Sequence, residues 1–342
     1  MRSFLRTIIL LALTVAFNIS GAAPALAAEE LLCSTFPIYL FTRNITEGSD
    51  TFKVDLMVDS SKGCPHDYNP TPAELEKLSK AKVLVINGLG LEGFLDQALR
   101  VTRPDLAVVD ASGGERAVRA FLADPPVEMA STIIISKETA RKLSQGHGHG
   151  ADADELNPHL FAAPRTAAVL VANITLGLSE IDPPKADLYR NNGARLIRQL
   201  LNLSGATVPG LRANLGGAKV ITSHGIFDYL AQDWGLNIVA KIEEEDGAEP
   251  SAARLTELAR LARQEGVKAV LVDPTGNLPL ARTLAAEVKI PAAVIDPVAG
   301  GPVDAPLDYY EKVMLTNITV LLKLFTRSAP PDQPKGQEPP QK

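Results

Sequence analysis

The stretch PAELEKLSKAKVLVINGLGLEGFLDQALRVTRPDLAVV, residues 72–109, sets amphipathic segments and short apolar runs in strict alternation. Residues 72–80 and 91–100 have helical spacing or good helix formers, whereas 83–86 and 106–109 are short β-branched or apolar runs. Strand and helix taken in turn mean parallel strands joined by right-handed crossovers. The same rhythm extends upstream, where strands at 30–36 and 52–58 flank a helix at 37–45. It returns after the midpoint, with strands at 218–222, 237–241, 269–272 and 292–295 separated by helices at 227–234, 251–265 and 279–288. The expected fold is α/β: two lobes, each with a parallel sheet flanked by helices.

Between the lobes runs a long helical region, residues 164–178, then a break at Asp182-Pro183-Pro184, then 186–203 without an internal proline. The second piece alone would span roughly 27 Å and serve as a long, rigid interdomain helix. A last helix is expected at 307–325. The allocation is therefore a first lobe over 28–163, a linking region over 164–212, a second lobe over 213–327 and a disordered proline-, lysine- and glutamine-rich tail over 328–342.

The first 27 residues read as an export signal that is cleaved after Ala27. Arg2 and Arg6 give a basic start, residues 8–17 are apolar, and Ala25-Leu26-Ala27 supplies small residues for cleavage. The residues before Cys33, Glu30-Leu31-Leu32, are not those of a lipid-acceptor signal. Losing Arg2 and Arg6 takes the formal charge from −6 to −8, which argues against nucleic acid or an anionic membrane as partner. Cys33 and Cys64 are the only cysteines, and an oxidising compartment allows them to pair. A bridge tethering the loop around Cys64 to the sheet, two unpaired thiols, and Cys64 as a soft metal ligand are the three readings open.

The five histidines lie in polar, glycine- or proline-punctuated stretches. His66 follows the strand that ends at 58, His224 comes directly after Thr222-Ser223, and Asp296 follows an apolar run and precedes Pro297. His159, in Asn157-Pro158-His159, precedes a helix. Open α/β sheets bind ligands at the carboxyl ends of their strands, so His66 and His159 from one lobe and His224 and Asp296 from the other would face a common cleft. Three imidazoles and one carboxylate suit tetrahedral Zn²⁺, while Mn²⁺ prefers more oxygen donors. Acid should release the ion, because protons compete for the same nitrogens. His147 and His149 stand apart, in a short His-Gly and Asp-Ala insert over 146–155.

At Gly63-Cys64-Pro65-His66-Asp67-Tyr68-Asn69-Pro70-Thr71-Pro72, and on to Asn87-Gly88-Leu89-Gly90-Leu91-Glu92, the chain resembles the metal-binding solute-binding proteins of ABC importers for zinc and manganese. Asn157-Pro158-His159, Thr222-Ser223-His224, the segment from Gly247 to Ser251 and Ile295-Asp296-Pro297 follow in the family's order. The resemblance implies a periplasmic monomer that holds one ion between two lobes and delivers it to a membrane permease and its ATPase. It also implies His66, His159, His224 and Asp296 as ligands, with histidine in third place pointing to zinc over manganese. The insert with His147 and His149 resembles a shortened form of the family's His-rich acidic loop, an auxiliary zinc site or a plain solvated loop. Cys64, Phe161 and Asp273 depart from the usual pattern, and Asp273 competes with Asp296 as the carboxylate ligand.

The rival class is a zinc hydrolase, with three protein ligands, a water and a nearby base. No His-Glu-x-x-His helix or Gly-x-Ser-x-Gly elbow is present, and the acidic run Glu243, Glu244, Glu245 and Asp246 reads as a solvated loop. An adhesin or other surface protein that merely contains zinc is a third reading. Four protein ligands favour capture without catalysis.

Overall fold

The computed structural model describes residues 28–62, 68–95, 99, 106–114, 157–204, 208, 210–243 and 250–326. The signal segment, Cys64, His66, the insert with His147 and His149, the acidic residues after Glu243 and the tail lie outside these residues. Among the described residues, no helix is long and apolar enough to cross a membrane.

The first sheet holds β1 (Glu29–Cys33), β2 (Phe52–Leu56), β3 (Val83–Ile86) and β4 (Ala107–Asp110) in the order β2-β1-β3-β4, all parallel. Helix α1 (Phe36–Ile45) crosses from β1 to β2, and α2 (Pro72–Lys80) precedes β3. The second sheet repeats the plan with β5 (Lys219–Thr222), β6 (Asn237–Lys241), β7 (Ala269–Val272) and β8 (Ala292–Val294) in the order β6-β5-β7-β8. Its crossovers are α6 (Asp228–Trp234), α7 (Ala252–Glu265) and α8 (Leu278–Val288). The linking region is α3 (Pro164–Ile181) and α4 (Ala186–Asn202), followed by the short α5 (Leu211–Leu215); α9 (Tyr309–Thr326) closes the described chain.

Element boundaries differ in places from the sequence reading. Residues 34–36, read as strand, leave the sheet: Thr35 is the extended N-cap of α1, and Pro37 sits in its first turn, where a missing N–H costs nothing. Residues 91–100, read as helix, hold a 3₁₀ turn at Gly93–Leu95 and an α-helical residue at Leu99 among the described residues. Ahead of that turn Gly88, Leu89 and Gly90 all have positive φ, which a helix cannot absorb.

Each strand divides its side chains between two cores, as the two-residue period requires. Leu31, Cys33, Val83 and Val85 face inward, whereas Leu32, Leu84 and Ile86 pack outward with Leu78 of α2. In the second sheet Val220, Ala269 and Leu271 face inward, and Ile221, Val270 and Val272 pack outward with Leu258 and Leu284. The inward sets of both sheets belong to one continuous apolar core that also takes in Phe161, Trp234 and Tyr310. Apolar burial on this scale resists independent movement of the halves far more than a polar domain interface would.

Helices α3 and α4 pack along one another, with Gly193 pressed against Thr175 and Gly177 against Val109 of β4. Asn192 Nδ2 ties α4 to the end of α1 through the carbonyls of Ile45 (3.0 Å) and Glu47 (2.9 Å). Trp234 Nε1 donates to the Leu203 carbonyl (3.2 Å) and fastens the other end to the second half. The chain after β8 then returns to α1, where Tyr39, Arg43 and Asn44 donate to the carbonyls of Val303, Ala305 and Leu307.

Cys33 is a free thiol at the buried end of β1, so the bridge considered between Cys33 and Cys64 is not formed at this residue. Its side chain is inward-facing and surrounded by core, and burial pushes the thiol up to about 12. A protonated, solvent-shielded thiol is inert toward exchange.

Candidate metal centre

Asn157-Pro158-His159 enters the fold just before the 3₁₀ turn Leu160–Ala162, which feeds α3. Its height is set from the tip of β3, where Asn87 Nδ2 donates to the Pro158 carbonyl (2.9 Å). Asn87 is itself anchored: its N–H (2.7 Å) and Ser34 Oγ (2.6 Å) donate to Glu92 Oε1, and the Gly88 N–H donates to Oε2 (3.0 Å). Burial pushes the Glu92 carboxyl up to about 7 against the pull of these donors. The His159 ring is buried, and Asn157 Oδ1 accepts from its backbone N–H (2.9 Å) and lies 2.6 Å from its Nδ1.

The other end of the Asn157 amide crosses to the second half. Nδ2 donates to the Gly225 carbonyl (2.7 Å) and to Asp228 Oδ2 (3.0 Å), and Tyr229 Oη donates to the Asn157 carbonyl (2.8 Å). Asp228 also pairs with Lys241 Nζ at 2.8 Å. A Cβ at Gly225 would lie 3.3 Å from both Asn157 Nδ2 and Lys241 Nζ, a tight approach that a bare backbone eases.

The second sheet presents polar groups at four adjacent strand tips. Glu243 follows β6, His224 follows β5, Asp273 follows β7 and Asp296 follows β8. Neighbouring strands are about 4.8 Å apart, so these side chains line one edge of the sheet. His224 Nε2 stands 3.6 Å from Asp273 Oδ2, and its Nδ1 faces the Ile226 N–H at 3.3 Å. Burial holds the His224 imidazole below its ordinary pKa, opposed by the negative charges of Asp273 and Asp228. The ring therefore stays neutral, the form that coordinates a metal.

Asp273 is buried and fully engaged. Thr275 supplies its N–H (3.0 Å) and Oγ1 (2.6 Å) to Oδ1, and Ser223 Oγ (2.9 Å) donates to Oδ2. Asp296 is held through its backbone, because the buried Asn317 amide accepts from the Asp296 N–H (3.0 Å) and donates to its carbonyl (2.7 Å). Among the described residues its carboxylate receives a single hydrogen bond, from the Val298 N–H to Oδ1 (2.7 Å). Val298 has φ +64°, costly for a β-branched residue, and it is fully buried. Burial, and secondarily the charge of Asp273, raise the Asp296 carboxyl above the usual range.

His159 and His224, which the sequence had placed in different lobes, come together with ring centroids 5.6 Å apart and planes tilted by 60°. His66 lies within residues 63–67, outside the described residues, and the residues on both sides of that segment are held by contacts of their own. A Cβ at Gly300 would run into the Ser60 carbonyl, so the loop after Asp296 presses on the upstream flank. Downstream, Tyr68 Oη donates to Glu74 Oε1 (2.6 Å), and its ring meets Phe94 edge-on. Among the described residues no three His, Cys, Asp or Glu side chains close into a geometry that could hold an ion. Sequence reasoning did not find Asn317, Asp228 or the cross-lobe role of Asn157. Asn157 carried a signal in its place beside Pro158-His159; Asn317, inside an ordinary helix, carried none.

The family model described as ZnuA, zinc-uptake complex component A, periplasmic, matches residues 31–324. The chain belongs to this family. A zinc-binding protein AdcA of Streptococcus pyogenes serotype M3 is 28% identical over 321 residues, covering 91% of this chain and 59% of the relative. The ZnuA-family chain thus spans about three fifths of the length of that relative. The high-affinity zinc uptake system protein ZnuA of Bacillus subtilis is 27% identical over 282 residues, 82% of each chain. Among solved structures, the solute-binding protein FpvC of Pseudomonas aeruginosa in complex with Ni²⁺ superposes with a TM-score of 0.68 at 21% identity, over 90% of this chain and 100% of that one. That likeness confirms the two-lobed fold of parallel sheets flanked by helices.

Proposed function

We propose that this protein captures one Zn²⁺ between its two halves and delivers it to an ABC importer made of a permease and an ATPase. It works as an exported monomer without turnover of its own. The observation that carries the reading is the convergence of His159 and His224, one from each half, with the Asp273 carboxylate beside His224. His66, His159, His224 and Asp296 are assigned as the four ligands, and membership of a zinc-uptake family supports zinc as the cargo.

The choice of Asp296 over Asp273 rests on hydrogen bonding. Both Asp273 oxygens already accept from Ser223 and Thr275, so its charge serves to hold the His224 side of the site. Asp296 offers a carboxylate with a single donor among the described residues, on a backbone locked by Asn317. A set of three nitrogens and one oxygen favours zinc over manganese. Four protein ligands leave no open position for an activated water, which sets the reading apart from hydrolysis.

The test is metal analysis of protein purified without chelator, paired with competition between Zn²⁺ and Mn²⁺. One equivalent of zinc that excess manganese does not displace is expected. Manganese retained in preference to zinc would reassign the cargo, and no stoichiometric metal would overturn capture.

A further inference from the structure

A single amide stands between the two histidine loops, and its orientation is decided by groups that cannot exchange roles. Asn157 Nδ2 faces two acceptors, the Gly225 carbonyl and the Asp228 carboxylate, at 2.7 and 3.0 Å. Asn157 Oδ1 faces the His159 backbone N–H, a fixed donor, at 2.9 Å. Turning the amide over would set donor against donor and oxygen against oxygen at both ends. With Oδ1 so placed, the contact of 2.6 Å to His159 Nδ1 is a hydrogen bond only if Nδ1 carries the proton. The lone pair of the neutral ring is then on Nε2.

We infer that Asn157 is a positioning residue with two roles carried by opposite ends of its amide: Oδ1 holds His159 in the tautomer that leaves Nε2 as the donor for a divalent cation, and Nδ2 registers that ring against His224 by gripping the next residue, Gly225, together with Asp228. The inference rests on the zinc-capture reading for its purpose, but not for its geometry. The tautomer of a histidine in the first half is thereby fixed by a carbonyl of the second. Separation of the halves at this point would release the ring and loosen the cation along with it.

Three variants distinguish the roles. Asn157→Ala removes both ends. Asn157→Asp keeps an oxygen toward His159 but sets its other oxygen against Gly225 and Asp228. Asp228→Asn, added to Asn157→Asp, returns a donor to that contact. Asp228 is 34% exposed, so its replacement opens no core.

Imidazole ¹⁵N spectra of the zinc-free protein should show His159 protonated on Nδ1 in the parent and in Asn157→Asp, and a mixture of tautomers in Asn157→Ala. Thermal unfolding of the zinc-free protein should show Asp228→Asn lowering the midpoint in the parent but raising it in Asn157→Asp. Zinc affinity should fall ~10–100-fold in Asn157→Ala, the usual effect of losing the group that orients a ligand histidine. An unchanged Nδ1 proton in Asn157→Ala, or Asp228→Asn lowering the midpoint in both backgrounds, would overturn the inference. A parent that takes up no zinc would overturn capture instead, and the spectra and unfolding would still decide the role of Asn157.

Discussion

The Asn317 side chain lies against the Asp296 backbone as a neighbouring strand would, accepting from its N–H at 3.0 Å and donating to its carbonyl at 2.7 Å. Strand β8 ends at Val294, so a side chain from α9 continues the pairing that the sheet no longer supplies. It does so at the residue assigned as the carboxylate ligand.

Asn317→Ala should leave two polar groups of Asp296 without these partners and lower unfolding stability by ~1–3 kcal/mol. Asn317→Asp keeps the acceptor and loses the donor, so it should weaken zinc binding as well, through misplacement of Asp296. Urea unfolding and zinc titration of both variants check this. Unchanged zinc affinity in both would remove Asn317 from the site.

At Gly300 a methyl group would meet the Ser60 carbonyl, backbone against backbone, with no flexible side chain to give way. Gly300→Ala should therefore displace either the Asp296 loop or the flank of residues 63–67, at a cost of ~1–3 kcal/mol. A fall in both melting temperature and zinc affinity is expected. A fall in neither would mean that the two loops are not mechanically joined.

Glu92 gives the pH dependence a definite sign. With its carboxyl raised to about 7 from the ordinary 4.5, the folded state holds a proton that the unfolded state has lost. Its contribution is thus fully present below the ordinary value and is lost as pH rises through 7. Glu92→Gln cannot titrate, so the difference between the two proteins reports this carboxyl together with its coupling to Asp110, which burial likewise raises, to about 6. The stability of the parent relative to Glu92→Gln should shrink between pH 5 and pH 8, measured by thermal unfolding at each pH. A growing advantage over that range would contradict the buried, raised carboxyl.

The His-Gly insert is expected to lie apart from the main site. Replacing His147 and His149 with Ala should leave zinc affinity there nearly unchanged by isothermal titration. A large loss would mean that the insert supplies a ligand.

Most of the architecture was legible because fully buried parallel strands read as unbroken apolar runs. Val83–Ile86 and Ala269–Val272 were located to the residue. The extended start of α1 was misread because Ser34, Thr35 and Phe36 suit a strand as well as a turn, and only Pro37 hinted at the change. The continuous core between the sheets had no signature at all, since an inward and an outward valine look alike in sequence. His224 and Asp296 stood out by their place after strands and His159 by its place beside Pro158, whereas their hydrogen-bond partners did not. Asn157, Asp228 and Asn317 meet their partners through hydrogen bonds across separations of 21 to 71 residues, which no local pattern records.

Capture between the halves is tested most directly by titrating zinc into the His159→Ala/His224→Ala protein beside the parent. The parent should bind one equivalent, and the double variant should bind more weakly by at least ~100-fold, since each lost imidazole removes more than an orienting group does. The fold should persist, because His224 lies in the loop after β5 and His159 just ahead of a 3₁₀ turn, neither inside a strand or a helix. Equal affinity in the two proteins, with the double variant properly folded, would contradict a cation held between His159 and His224.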